Sequence, residues 1–447
     1  MIRKLLGSVR EYKKDSILSP IYVTIESILE IIIPTLMAYL IDRGISQNNM
    51  EYVLRTGLVL VALAMLSLLT GFLAGRSAAI ASAGFAKNLR HDIFDNVLRF
   101  SFSNIDKFST ASLITRLTTD VTNVQNAYQV IIRMVVRAPV IIIFALIFSM
   151  RIDMQLSLIF LGIIPVLGVG LALIIAKAHP IFVRVFSTYD KLNNVVQENL
   201  RGIRVVKSFI REDYEESKFA RISQLIYDDF TKAGRRLAFN MPLMQFSVYA
   251  CMLLLSWLGA KAIVASGNDA AAGLSTGELT SLITYTMQIL MSLMLLSIAF
   301  VMIIISRASA QRIAEVLAEK SDLANRENPV TTVKDGSITF ENVTFSYSKN
   351  AEKPVLNGVS FTIAAGETVG ILGGTGSAKS SLVQLIPRLY DVTSGRVLVG
   401  GVDVRDYDIE ALRNQVAMVL QKNVLFSGTI KDNLRWGNEH ATDDEMI

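Results

Sequence analysis

Six long apolar stretches, separated by polar segments of very unequal length, set the pattern of the first 305 residues. They run roughly over 17–41, 56–83, 132–150, 155–178, 241–265 and 281–305, each near the ~20 residues that a helix needs to cross the hydrocarbon core of a bilayer. Each is apolar all round and not along one stripe, so a water-soluble bundle would have to bury six complete helices. Residues 42–55, 151–154 and 266–280 are short connections, whereas 84–131 and 179–240 are long, polar and helical in pattern, with no Gly/Pro-rich break. Spans two to five are therefore expected to continue as helices well outside the membrane. After the sixth span the helical pattern persists through 306–320, and then the period changes. Asn325 to Lys334 is a polar linker containing Pro329. From Gly336 short apolar runs predict strands at Ile338-Phe340-Val343, Val359-Phe361-Ile363, Glu367 to Leu372, Gly395 to Val399 and Val416 to Leu420. Asp408 is placed to cap a short helix through Arg413.

Composition agrees with the spans. Hydrophobic residues make up 51% of the 447 and charged residues only 19%, too apolar for a soluble protein of this size. The net charge of +5 matters less than its distribution. The short connections hold only Arg43, Arg55 and Arg151, while Lys and Arg recur from Lys177 to Arg236. That asymmetry predicts a multi-pass protein of the cell membrane whose long segments and two termini are cytoplasmic. Residues 1–16, with Arg3, Lys4, Arg10, Lys13 and Lys14 around Leu5, Leu6 and Val9, read as an amphipathic helix on the membrane face. The run from Ile17 to Ile41 is too long for the core of a cleaved signal. No basic run interleaved with aromatics suggests a nucleic-acid partner. Cys251 is the single cysteine and lies in an apolar run, which suits packing. His91, His179 and His440 are too scattered for a metal site.

Polar residues inside the spans are expensive and need a reason. Glu26 and Glu30 are one turn apart on the first span, Pro34 follows them with a kink expected, and Arg76 lies in the second. Two explanations stand: a water-filled cavity for a cationic or polar ligand, or a structural pair such as a glutamate with Arg76. Met287, Met291, Met294 and Met302 run along the sixth span, as packing or as adaptable contacts to apolar ligands.

The chemistry concentrates in Gly373-Gly374-Thr375-Gly376-Ser377-Ala378-Lys379-Ser380-Ser381. This stretch follows the strand expected at Glu367 to Leu372. It leads into a helix expected over Lys379 to Tyr390, with Leu382, Leu385 and Ile386 on one face. Strand, Gly-rich loop and helix in that order make a phosphate loop. A loop with little side chain lets backbone N–H groups approach a polyphosphate, and the helix start adds unpaired donors and partial positive charge. Lys379 is expected to reach the β- and γ-phosphates of ATP, Ser380 to hold Mg²⁺, and Ser381 to bond a nearer phosphate. Ala378 departs from the pattern, which has glycine there. A positive φ at that position would cost an alanine about 1–2 kcal/mol; a negative φ would instead bring its methyl group near the phosphates. The expected fold is multi-domain: a six-helix transmembrane domain over 1–325, a linker at 326–336, and a partial α/β P-loop nucleotide-binding domain over 337–447.

Six spans, long cytoplasmic helices and a phosphate-loop domain together resemble one half of an ABC exporter of the multidrug type, over essentially the whole chain. From Phe345-Ser346-Tyr347, the resemblance implies that Tyr347 stacks on adenine. From Val419-Leu420-Gln421-Lys422, it implies that Gln421 touches Mg²⁺ or the attacking water and relays nucleotide state to the membrane domain. Residues 109–119 and 194–206 look like the two coupling helices, expected to dock on nucleotide domains. The resemblance implies an ATPase that exports hydrophobic or amphipathic substrates (drug, lipid or peptide) through the bilayer, paired with a second half-transporter. Two alternatives share the architecture: a regulatory partner with a degenerate ATP site, and an ATP-gated channel or receptor. The family's signature loop, second acidic motif and switch histidine do not occur by Ile447, and His440 does not fit the last role, so the chain reads as a C-terminally truncated piece with exposed strand edges and low stability alone. A heterodimer is favoured, because Ala378 would handicap both sites of a symmetric pair. Residues 276–297 also look similar to the sixth-span region of heterodimeric multidrug exporters.

Overall fold

A helix satisfies all of its backbone groups within itself, so apolar runs that face lipid become helices. The computed structural model describes residues 2–267, 273–348, 351–420 and 424–446. Among them are six helical segments long and apolar enough to cross a membrane: Lys4–Ile45, Met50–Leu98, Thr110–Ile152, Met154–Ser208, Glu212–Ser266 and Thr276–Ala318. Spans two to five do extend well past their apolar runs, as the polar helical pattern predicts. The chain divides into two units, Met1–Phe94 with Thr115–Leu317, and Asp95–Ile114 with Ala318–Ile447.

In the first unit the N-terminal residues are tied down by polar contacts as well as apolar ones. Leu5 and Val9 are buried, Ser8 Oγ donates to Asp92 at 2.6 Å and Arg10 pairs with the same carboxylate at 2.6 Å. The glutamates of the first span find a partner other than Arg76. Arg137 donates through Nη1 to Glu26 at 2.8 Å and through Nη2 to both oxygens of Glu30 at 2.7 Å. One planar guanidinium thus bridges two carboxylates a helical turn apart, the geometry to which its fork is suited. Gly71 lies against this cluster: a Cβ there would stand 3.0 Å from Glu26 Oε1.

The Thr276–Ala318 helix meets the first span around Pro34. Proline lacks an N–H, so it strips the carbonyl four residues back of its helical donor. That carbonyl is Glu30 O, and Gln288 Nε2 donates to it at 3.2 Å. Tyr285 Oη donates to the next carbonyl, Ile31 O, at 2.9 Å, and Ser281 Oγ to Pro34 O at 2.6 Å. The Lys13–Tyr39 helix includes both Pro20 and Pro34 and ends in a π-helical turn over Leu40–Ile45. The apolar core beside it gathers Ile31, Ile141, Phe160, Leu255, Leu282 and Tyr285, with Cys251 buried among them as a packing residue. Outside the spans, charges hold the helices: Arg184 pairs with Asp229 at 2.6 Å, and Arg312 with the fully buried Asp120.

The second unit contains a four-stranded antiparallel sheet: β1 (Ile338–Phe345), β2 (Leu356–Ile363), β3 (Ser394–Val399) and β4 (Val402–Asp403), in the order β2-β1-β3-β4. Phe340, Val343, Phe345, Val397, Val399 and Leu385 form its core. Asp408 caps the Ile409–Gln415 helix as expected, its Oδ1 accepting from Ala411 N–H at 2.9 Å. Two expected strands are absent. Glu367 to Leu372 and Val416 to Leu420 pair with no described strand, and Leu372 and Val419 are 97% and 89% exposed. An apolar run becomes a strand only where a neighbour completes its ladder of hydrogen bonds. The helix after the phosphate loop is also shorter than expected, Lys379–Gln384, although Leu382 and Leu385 are buried as predicted. Pro387 disfavours helical backbone just before it, and Arg388 turns left-handed at φ +51°.

Residues 95–114 join this unit. Ser101 and Asn104 form a capping box that starts the Phe102–Phe108 helix. Asn104 Nδ2 and Lys107 Nζ both donate to Glu319 Oε1 at 3.0 Å. The Phe102–Phe108 helix is thus tied to Glu319, just past the end of the Thr276–Ala318 helix.

Candidate functional site

The loop 373–378 is shaped by two left-handed residues, Gly376 at φ +86° and Ala378 at φ +63°. Glycine meets the first at no steric cost. Alanine meets the second with its Cβ crowded, so of the two possibilities at Ala378 the strained one holds, at about 1–2 kcal/mol. At Gly373 a Cβ would lie 2.5 Å from Ser377 Oγ, so a larger residue there would make that hydroxyl turn aside.

Ala378 is the first flanking residue of the Lys379–Gln384 helix and offers no side-chain cap. Its carbonyl takes the Leu382 N–H at 3.0 Å, so the N–H groups of Lys379, Ser380 and Ser381 have no acceptor within the helix. They are the donors a phosphate needs. Lys379 arches back over the loop, its Nζ donating to Gly373 O at 2.8 Å and Gly374 O at 2.9 Å. The ammonium is therefore held by neutral carbonyls above the same donors, where a polyphosphate would offer it charged oxygens. Ser380 is exposed at the start of the helix and Thr375 at the loop tip. Among the described residues no group of three His, Cys, Asp or Glu side chains gathers to hold a metal unaided. Mg²⁺ carried on phosphate oxygens needs only a hydroxyl such as Ser380 and water to complete its shell.

Tyr347 and Ser381 come together although 34 residues separate them: their hydroxyls are 2.8 Å apart. The Tyr347 hydroxyl also donates to Gln384 Oε1 at 3.3 Å. The aromatic of the sheet end is thus fixed against the Lys379–Gln384 helix, with about half its surface exposed. Gln421 lies outside the described residues. The structure gathers Tyr347, Gly373, Gly374, Ser377, Lys379 and Ser381 into one place.

Two residues at this site carry no signal in the spacing. Tyr390 packs edge-on to Tyr347 with ring centroids 5.1 Å apart, and its hydroxyl donates to Asp106 at 2.9 Å. Burial and the Asp106 carboxylate both push the Tyr390 phenol upward, so it stays a donor at neutral pH. A continuous set of contacts runs from Ser381 through Tyr347 and Tyr390 to the Phe102–Phe108 helix. Tyr390→Phe keeps the rings and removes the hydrogen bond, worth about 1 kcal/mol. Amide hydrogen exchange in 102–108 is expected to rise severalfold while ATP affinity stays within about twofold. Unchanged exchange would remove Tyr390 from this connection.

Comparison with known proteins gives two family matches: "ABC transporter transmembrane region" over residues 16–294, and "ABC transporter" over residues 356–447. An uncharacterized ABC transporter ATP-binding protein of Bacillus subtilis, YfiB, is 33% identical over 446 residues, covering 100% of this chain and 76% of its own length. An uncharacterized ABC transporter ATP-binding protein of Mycobacterium bovis is 32% identical over 451 residues, covering 100% of this chain and 76% of its own length. The ATP-dependent lipid A-core flippase of Pseudoalteromonas translucida is 28% identical over 446 residues, covering 100% and 75%.

Proposed function

The chain belongs to the ABC transporter family as an exporter half-transporter, and from that premise we propose that it couples ATP hydrolysis to the export of hydrophobic or amphipathic molecules as one half of a dimer. The observation that carries this is the joining, in one chain, of six membrane-length helices to a phosphate loop whose lysine and helix-start donors converge. The name of the Pseudoalteromonas relative favours lipid-like amphipaths among the substrates. We place 84–131, 179–240 and both termini in the cytoplasm on the distribution of Lys and Arg. The domain limits follow the change of pattern: 1–325, 326–336 and 337–447.

In this proposal Tyr347 stacks on adenine, and Gly373 to Ser381 wrap the phosphates with backbone N–H groups. Lys379 leaves the loop carbonyls for the β- and γ-phosphates. Ser380 and Gln421 hold Mg²⁺, which when bound neutralises the charge of the reacting phosphates. The partner is a different half-transporter. The left-handed alanine at 378 strains a loop that a homodimer would carry twice; in a heterodimer the handicapped site binds ATP and the other hydrolyses it.

The test is to express the complete protein alone and together with a candidate partner, each reconstituted in vesicles, and to measure ATPase and substrate movement. Activity only on co-expression is expected, with Ala378→Gly raising ATP turnover severalfold by relieving about 1 kcal/mol of strain. A homodimer with full substrate-stimulated ATPase that is indifferent to Ala378→Gly would rule out the heterodimer. ATP-dependent ion conductance without turnover would replace export by a channel.

A further inference from the structure

Two hydroxyls and an amide meet beside the phosphate loop, and their protons can be counted. Tyr347 Oη lies 2.8 Å from Ser381 Oγ and 3.3 Å from Gln384 Oε1. A phenol has one proton to give, and an amide oxygen has none. The Tyr347 proton therefore goes to Gln384, and the shorter contact is made by the Ser381 proton, with Tyr347 Oη accepting. Ser381 is only 7% exposed, and Tyr347 is the partner that the described residues give its hydroxyl. Its backbone has a different part. The Ser381 N–H is one of the helix-start donors without an acceptor in the helix. One residue thus offers its N–H to a phosphate while its hydroxyl proton is held by an aromatic residue 34 positions away.

The Tyr347 ring has little room to answer a change at Ser381. It packs edge-on to Phe345 and to Tyr390, with centroids 4.8 and 5.1 Å apart. What can turn is the two O–H bonds. A phosphate oxygen near Ser381 is a charged acceptor and outcompetes a phenol oxygen for the serine proton. Once the serine donates to phosphate, its own oxygen is free to accept. The phenol proton then swings from the 3.3 Å contact to the 2.8 Å one. Hydrogen bonds that point one way along a chain strengthen each other, so the phenol tightens the bond from serine to phosphate.

We propose that Tyr347 is a positioning residue for the phosphates as well as a platform for the base. Its hydroxyl reverses its bond with Ser381 when a phosphate is present, and so aims the Ser381 hydroxyl at that phosphate. This relay rests on the nucleotide reading above and adds to it a link between the two ends of the ligand. No covalent bond is made or broken; two protons change acceptors.

The test uses inorganic tripolyphosphate, which has phosphates and no base to stack. Its binding to the full chain with Mg²⁺ is measured by calorimetry beside that of ATP. Tyr347→Phe keeps the ring and removes the relay, so both ligands should weaken about 3- to 10-fold, the scale of one neutral hydrogen bond. Ser381→Ala should weaken them at least as much. Adding Tyr347→Phe to it should change affinity by less than about twofold, because the phenol acts through the serine. Ser381→Thr keeps the hydroxyl and should stay within about twofold of the parent. Gln384→Leu removes the competing acceptor and should bind tripolyphosphate as tightly as the parent or more tightly. A cooperative melting transition in each variant shows that it is folded. Tripolyphosphate binding that ignores Tyr347→Phe, or an equal loss from Tyr347→Phe in the Ser381→Ala background, overturns the relay; ATP binding that still depends on Lys379 then leaves the nucleotide site standing. A parent that binds ATP regardless of Lys379→Ala overturns the site and the relay together.

Discussion

Arg137→Met is expected to destabilise the protein by about 3–5 kcal/mol, the range for removing one partner of a buried ion pair. The side chains concerned are largely enclosed: Arg137 is 24% exposed, Glu26 11% and Glu30 30%. Removing the guanidinium leaves two carboxylates a turn apart inside a membrane span, where a lone charge costs several kcal/mol. Gly71 has no side chain to cushion Glu26, and Glu26 Oε2 already lacks a partner. A loss of this size is a large part of a typical folding free energy. It should appear as a fall of many degrees in the melting temperature of purified protein, or as failure to recover monodisperse protein. Arg137→Lys should fall between, since a point charge cannot bridge both carboxylates as a planar fork does. The diagnostic variant is the triple replacement Glu26→Gln, Glu30→Gln, Arg137→Met. If charge balance is the issue, neutralising the acids recovers most of the stability. A melting temperature for Arg137→Met within about 2 °C of the parent would show that the cluster contributes little.

That cluster shows what the sequence could and could not reveal. Glu26 and Glu30 announce a shared need by their spacing alone, because i and i+4 share a helix face. Their partner does not announce itself. Arg76 and Arg137 are both arginines in or beside apolar runs, and only the packing of the helices selects Arg137. The same holds for Pro34. A missing donor is legible at once, but its replacement by Gln288, 254 positions downstream, is a tertiary fact. The spans themselves were fully legible, since length and hydropathy act locally and need no partner. The strands were not equally so. β1, β2 and β3 fall where alternation predicts them, whereas Glu367 to Leu372 and Val416 to Leu420 have the composition of buried strands and lie unpaired. Strand character is a property of neighbours as much as of the segment.

The nucleotide site divides in the same way. Loop, lysine and helix start are consecutive residues, so their proximity follows from the chain. The left-handed backbone at Ala378 was one of two possibilities and needed coordinates to decide. Tyr390 and Asp106 were invisible, because nothing in their spacing marks a hydroxyl–carboxylate contact between residues 284 positions apart.

Lys379→Ala is expected to have the largest effect on function. The ammonium is placed by two carbonyl contacts, at 2.8 and 2.9 Å, across the loop it must serve. Those contacts pre-position the charge, so little side-chain freedom remains to be lost when phosphate oxygens replace the carbonyls. Alanine removes the charge-assisted bonds to phosphate, each worth about 1.5–3 kcal/mol. It also removes the strap that holds Gly373 and Gly374 near Ser377. Affinity for Mg²⁺-ATP should fall roughly 10- to 100-fold, measured on the full chain by calorimetry or by labelling with a photoreactive ATP analogue. Lys379→Arg should not rescue it, because a broad planar fork does not fit where a compact ammonium threads between two carbonyls. Ser380→Ala supplies the contrast. Its hydroxyl is assigned to the metal, so that variant should weaken Mg²⁺-ATP and leave metal-free ATP almost unaffected. If Lys379→Ala labels as well as the parent, the phosphate site lies elsewhere in the chain. If Ser380→Ala and Lys379→Ala behave alike with and without Mg²⁺, the division of roles between lysine and serine is wrong, even though the loop binds nucleotide.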